Sequence, residues 1–413
     1  MNQFNTQNNM KKLAITTIGV ASAASLSAQS LFDLAPADDA SESIPLSWTL
    51  SAGIGTDDNP TPLGGSDSTL YGSASIGASF LSVAPQTRTE FFARLGTIHY
   101  FDDLDYITNA GVISVDQSTT TYGFGLNWTR EVNERLRLVS RTYLSQELEP
   151  DRASGIGGLM QVGSYQRWNT NLSVGYRWSE RLGTYTGLTV SDLSYDNFGQ
   201  NEFSSVSIYN DFRYQLSPQT VATLTYRHVE NDVLFGGDST NQHILAGLEH
   251  RFSPNTIGVV RAGAQFRDID GSANGTTTSP NLEASLNNRI NEQLTVRAYA
   301  RYSNEDYVRS VAGGIYDNAE TLRLGLSASY MISPTFSINA GLNYQDVDYS
   351  ERATPFGPID PTEDIVNYFV GFNMSVTDTI SLYGTYNHED FGSSVAGREF
   401  DRNRLSLGVS SQF

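Results

Sequence analysis

From Leu46 to the last residue the chain alternates apolar side chains with polar or small ones. In "LRLGLSASY", residues 322–330, Leu322, Leu324, Leu326, Ala328 and Tyr330 share one parity, while Arg323, Gly325, Ser327 and Ser329 share the other. "LTVRAYARY", residues 294–302, repeats the scheme, with Leu294, Val296, Ala298, Ala300 and Tyr302 set against Thr295, Arg297, Tyr299 and Arg301. Successive side chains of a strand point to opposite faces, so a period of two predicts strands with one apolar face. Helical periodicity is nearly absent. The predicted strands are about 11 to 15 residues long.

The connections alternate as well. One class is tight: "SVAPQT" (82–87), "VNER" (132–135), "SER" (179–181), "SPQT" (217–220), "SPNT" (253–256), "NEQ" (291–293), "SPT" (333–335) and "TDT" (377–379). Ser-Pro followed by a polar residue is a turn signal, because proline presets φ. The other class is long and acidic, as in residues 55–68, 102–117, 150–162, 304–318 and 351–364. Eight short turns and nine long loops in strict alternation join eighteen strands. Outer-membrane barrels put short turns at the periplasmic rim and long loops outside. The expected fold is therefore all-β: a transmembrane antiparallel up-and-down barrel of about 18 strands. A soluble propeller is the competing reading, and it lacks the recurrent blade signature that such a fold repeats.

The end of the chain, "RLSLGVSSQF", fits the barrel. Leu405, Leu407, Val409 and Phe413 share one parity, so the last ring sits on the lipid face of a closing strand. This end resembles the C-terminal assembly signal of bacterial outer-membrane proteins, and that resemblance implies recognition by the barrel assembly machinery.

Near the start, "MKKLAITTIGVASAASLSAQS" begins at Met10, with Lys11 and Lys12, an apolar run over 13–24, and small residues at Ser25, Ser27 and Ala28. This is the pattern of a secretory signal peptide, with cleavage after Ser27 or Ala28. Translation starts at Met1 or Met10. The expected organisation is a signal peptide over 1–28, a flexible acidic lead-in over 29–45 and the barrel over 46–413.

Composition removes several function classes. The formal charge of −19 argues against a nucleic-acid partner, since phosphate binding needs a basic face. There is no cysteine, hence no disulfide, thiolate catalysis or cysteine-bearing metal site. No cofactor is expected. Five histidines are present. His228 and His388 lie beside carboxylates in "HVEND" and "HED", and His243 and His250 share one strand. A barrel hydrolase would need such a histidine next to a serine or aspartate; an acidic rim with scattered histidines produces the same pattern.

The first strand, "LSWTLSAGIGTDDNPTPL" (46–63), carries small residues and glycines and then the corner Asp57-Asp58-Asn59. With the Arg- and Tyr-bearing strands and the terminal Phe413, it resembles the beta-barrel porin-2 type families of Gram-negative envelopes. The resemblance spans most of 46–413 and implies an outer-membrane barrel in contact with lipid and lipopolysaccharide. It supplies no catalytic residues. Some relatives accompany polysaccharide export, which leaves a conduit for an exported polymer as the alternative to passive diffusion of small hydrophilic solutes.

Strand parity assigns the lumen. Arg94, Arg137, Arg141, Arg213, Arg227, Arg261, Arg267, Arg297, Arg301 and Arg323 fall opposite the apolar set, with Tyr209, Tyr299 and Tyr383. An arginine facing lipid at the bilayer midplane costs about 2 to 4 kcal/mol, whereas one facing a wet lumen does not. Two readings of these pore-lining arginines stand side by side. They form a basic strip, poor in neighbouring carboxylates, that favours polar or anionic solutes. Or they pair with lumen carboxylates such as Asp211 and stiffen the wall. The loop at 102–117 is the expected inward constriction.

Overall fold

The computed structural model describes residues 43–61, 68–108, 111–148, 164–195, 202–233, 237–272, 275–306, 310–312, 314–353, 355 and 357–413. The expected signal peptide lies outside the described residues, as does the lead-in up to residue 42. The first strand, Ile44–Asp57, starts two residues before the expected barrel boundary. Each wall strand pairs antiparallel with the next, and the first pairs with the last, Phe400–Gln412, from Thr49 opposite Gln412 to Asp57 opposite Arg404. Eighteen strands form this closed wall, setting aside Ser310–Val311, which pairs only with the start of the following strand. Closure leaves the wall without an edge, so the backbone of the strands is paired along continuous ladders within the sheet, as a bilayer requires.

The alternation in the sequence becomes the two faces of the wall. Leu50 and Ile54 are each 54% exposed, Leu326 51%, Leu407 50% and Phe413 69%. These apolar side chains point outward. Their neighbours point inward, and many are polar and covered, such as Gln265, Asn281 and Thr321. Inward glycines make room for aromatic rings on the adjacent strand. A Cβ on Gly187 would meet the Tyr209 ring, one on Gly325 the Tyr299 ring and one on Gly408 the Tyr383 ring, in each case within 2.6 Å. Each ring lies over the glycine directly opposite it in the ladder.

Short turns close the lower rim. In most of them the first side chain caps the turn: Asn133 Oδ1 accepts from the N–H of Arg135 and of Leu136, both at 2.9 Å. Asn291, Ser217, Ser253, Ser333 and Thr377 act in the same way on the second residue after them. This is the turn chemistry that short oxygen-bearing side chains supply.

The upper ends of the strands carry apolar clusters inside, beside buried charged groups. Tyr71, Tyr100 and Leu104 form one buried cluster, and Tyr165, Leu193, Tyr195 and Phe203 form a second. Val311, Tyr316, Ala319, Val347, Tyr349, Ile365 and Phe391 form a third. The members drawn from loops, Leu104 and Val311, show why: loops that fold over the mouth need apolar surface to rest on. The corner Asp57-Asp58-Asn59 binds the first strand to the last. Asp57 accepts from Arg402 Nε at 3.0 Å and from Tyr100 Oη at 3.1 Å, and pairs with Arg404 at 3.2 Å. Asp58 accepts from the backbone and side-chain nitrogens of Asn403, and Asn59 donates to the Asp401 carbonyl.

Candidate functional site: the charged interior

The inward parity of five successive strands, from Phe203–Ser217 to Thr277–Arg289, builds a chain of alternating charge. Thr225 donates to Asp211 at 2.7 Å, and Arg213 donates to Asp211 and to Glu249 at 2.9 Å each. Arg261 donates to the same Glu249 at 3.2 Å and lies 3.7 Å from Glu283. Arg227 lies 3.7 Å from Glu283 on its other side. Arg301 stands directly opposite Glu283 in the ladder, and Arg323 directly opposite Arg301. Arg323 is held by Glu305 and by Gln345. The expectation that few carboxylates stand among these arginines is corrected: Glu249, Glu283 and Glu305 separate them. Like charges that close in a covered site repel strongly unless counter-charges intervene.

The end of the strand Leu294–Asn304 leaves the wall and turns inward. The Gln265 amide donates to the Asn304 carbonyl at 2.9 Å and accepts from its N–H at 3.2 Å. It treats that backbone as a neighbouring strand. Arg267 donates to the side chains of Asn304 and Asp306. Asp306 also accepts from Asn231 at 2.7 Å and Asn241 at 2.8 Å. Residues 304–306 therefore lie across the inner face from the strand Thr220–Val233 to Gly314–Ser333, where Asn304 meets Asn318 and Ala319 and Glu305 meets Arg323. The expected constriction at 102–117 is only partly of this kind. It holds a hairpin, Leu104–Thr108 with Gly111–Val115, whose root packs on the inward Tyr71 and Tyr100. The segment that reaches across the charged interior is 304–306.

The facing wall is different. Arg94, Arg137 and Arg141 have inward parity, and none has an ion-pair partner among the described residues. The same holds for Arg297. Arg94 and Arg297 are exposed to the barrel interior, whereas Arg213 and Arg267 are almost fully covered, each at 1%. Sequence reading missed Arg167, which is inward and buried with its guanidinium 5.6 Å from the Tyr143 ring centre. Its strand, "YQRWNTNL", is polar on both faces at its middle, which blurs the parity. It also missed Arg402 and Arg404, although their parity opposite Leu405 and Leu407 was available.

The histidines scatter. His243 is inward and buried against Asn281 at 3.1 Å. His228 lies 3.4 Å from Glu230 on the outward face, and His388 lies 2.8 Å from Asn403 on the outward face. His250 meets Thr220 at 2.9 Å near the lower rim. His99 meets Ser118 at 2.7 Å, with no carboxylate on the ring among the described residues.

Three comparisons bear on this arrangement. The family model described as Putative beta-barrel porin 2 matches residues 48–413. The comparison with curated proteins gave no match. Among solved structures, OccAB4 of Acinetobacter baumannii is 14% identical with a TM-score of 0.45, covering 90% of this chain and 98% of its own. OpdK of Pseudomonas aeruginosa, solved with vanillate, is 13% identical with a TM-score of 0.46, covering 89% and 99%. OccK2 (OpdF) of Pseudomonas aeruginosa is 12% identical with a TM-score of 0.46, covering 89% and 98%. With a family match over the whole closed wall, an apolar exterior and a charged interior, the chain belongs to the Putative beta-barrel porin 2 family, porin-type barrels of the Gram-negative outer membrane.

Proposed function

We propose that this barrel is a channel for passive diffusion of small hydrophilic solutes, with a preference for anions, and that Arg94, Arg137, Arg141 and Arg297 set the preference. One observation carries the reading. None of these four inward arginines makes a close ion pair among the described residues, the nearest carboxylate influence being Glu90 on Arg141, whereas Arg213, Arg227, Arg261, Arg267 and Arg323 each pair directly with a carboxylate. A compensated strip holds its position but adds little net field. Guanidiniums without a close ion pair, Arg94, Arg137 and Arg141 on the facing wall and Arg297 beside Arg301 on the strip itself, raise the local concentration of anions in a lumen with low-dielectric walls. Eighteen strands enclose an interior wide enough for water unless loops fill it, and 304–306 fills one side only. The acidic loops sit at the rim, and screening limits their reach to about 10 Å at 0.1 M salt.

The test is the reversal potential of the refolded barrel in a planar bilayer under a salt gradient. The wild type is expected to prefer anions. Arg94→Ser with Arg297→Ser is expected to move the potential toward cations while heat-modifiability on a gel stays the same. A wild type that already prefers cations sinks the selectivity claim. Absence of any conductance sinks the channel itself.

A further inference from the structure

We propose that the outward face of four consecutive strands, Leu136–Glu147, Tyr165–Arg177, Leu182–Tyr195 and Phe203–Ser217, docks a second copy of this chain within the membrane. The proposal concerns the lipid side of the wall and is independent of what passes through the lumen. Around the other fourteen strands the central outward positions are Leu, Ile, Val, Ala, Phe, Gly or Tyr, as in Leu50, Ile76, Tyr226, Leu324, Tyr368 and Leu407, with His228 and His388 nearer the upper rim. On these four strands they include Thr142, Thr170, Thr186 and Asn210. Asn210 is the middle residue of its 15-residue strand, flanked on its own face by the exposed Ile208 and Phe212.

These polar groups come as cross-strand pairs. Thr142 stands opposite Thr170, and Thr170 donates to it at 3.2 Å. Asn210 stands opposite Thr186 and donates to it at 2.7 Å. Among the described residues that is the only hydrogen bond the Asn210 carboxamide makes. Among the same residues its Oδ1 lies against the wall without a donor and its second N–H meets no acceptor. Hydrocarbon offers neither, and a polar group left unsatisfied there is costly. The terminal torsion of asparagine turns easily, so the amide can present both groups outward.

A second copy is the occupant that fits. Every copy inserts in the same orientation, so its own stripe lies at the same depth. A carboxamide is complementary to another carboxamide and to a threonine hydroxyl, each offering a donor and an acceptor. Lipid lacks both at that depth. Hydrogen bonds between membrane elements are individually small but add to packing, and four strands at about 4.8 Å spacing give a face about 20 Å wide.

The chain has no cysteine, so single cysteines report cleanly. Asn210→Cys and Thr142→Cys are each oxidised with copper-phenanthroline in isolated outer membranes, with Leu326→Cys on the far wall as control. The expected product is a disulfide-linked band of twice the chain mass from position 210 or 142 and none from 326. In detergent, Asn210→Leu with Thr186→Val is expected to associate about tenfold more weakly in sedimentation equilibrium, the size of effect that one or two lost membrane hydrogen bonds produce. Heat-modifiability should be unchanged. If that variant does not fold, Thr142→Val with Thr170→Val reads the same face. A monomeric wild type, equal cross-linking at 326, linkage to a different protein, or unaltered association of a folded variant overturns the proposal.

Discussion

Glu249 touches two guanidinium groups that reach it from different strands, Arg213 and Arg261. All three side chains are covered. Removing the carboxylate charge would leave Arg213 paired with Asp211 and Arg261 with Glu283, so the cost is expected below the about 3 to 5 kcal/mol of a buried charge that loses its sole partner. Glu249→Gln is therefore expected to lower the urea midpoint of the refolded barrel and, in the protein that does fold, to strengthen anion preference. An unchanged midpoint would mean that water enters this strip and screens it. The pairing was legible in part. The parity that turns Arg261 inward also turns Glu249 and Glu283 inward. Parity does not give the register between strands, and register is what sets Glu283 opposite Arg301. The turn at 304–306 was not legible at all. Asn304 has outward parity, yet its side chain meets Arg267 because the strand leaves the wall there.

At the scale of elements, the lower turns were legible nearly to the residue, whereas the upper strand ends were not: the expected loop 304–318 is already strand from Gly314, and that strand runs to 20 residues rather than the expected 11 to 15. Each of the eight short connections in the sequence is a turn in the structure, because a capping oxygen or a proline at fixed offset is a local signal. The upper ends were less legible. The three apolar clusters there depend on which loops fold back, as Leu104 and Val311 do, and no short-range pattern encodes that contact. The orientation makes a prediction: protease added to intact cells should cut within 102–117 or 351–364 and spare the turn at 253–256. Cleavage confined to the Ser-Pro turns would invert the topology. A second prediction concerns the last strand. Deleting Phe413, whose ring is largely exposed on the outward face, should reduce the amount of folded, heat-modifiable protein in the membrane. The conductance of the molecules that do assemble should not change. Normal assembly would leave 405–413 as a strand and nothing more.

For the molecule as a whole, closure is the property on which everything else rests, and it was legible from an even strand count with an apolar last strand. The means of closure was not. Nothing in "TDDN" alone says that Asp57 receives Arg402 and Arg404, which lie more than 300 positions away. The seam has one more consequence. Trp48 N–H donates to the Phe413 carbonyl at 2.8 Å, and Phe413 N–H donates to the Trp48 carbonyl at 3.0 Å. The two strand ends thus meet as the two sides of any lower turn do, lacking only the covalent link. The barrel is topologically a ring with a nick in it, and the nick can be moved. A circular permutant that joins Phe413 to Leu46 through a short glycine-serine linker and opens between Pro254 and Asn255 should refold in detergent to the same heat-resistant species. In cells it should assemble poorly, because its final residue is no longer a phenylalanine. Failure to refold in detergent would mean that the order of synthesis, as well as the finished set of strand pairs, determines this barrel.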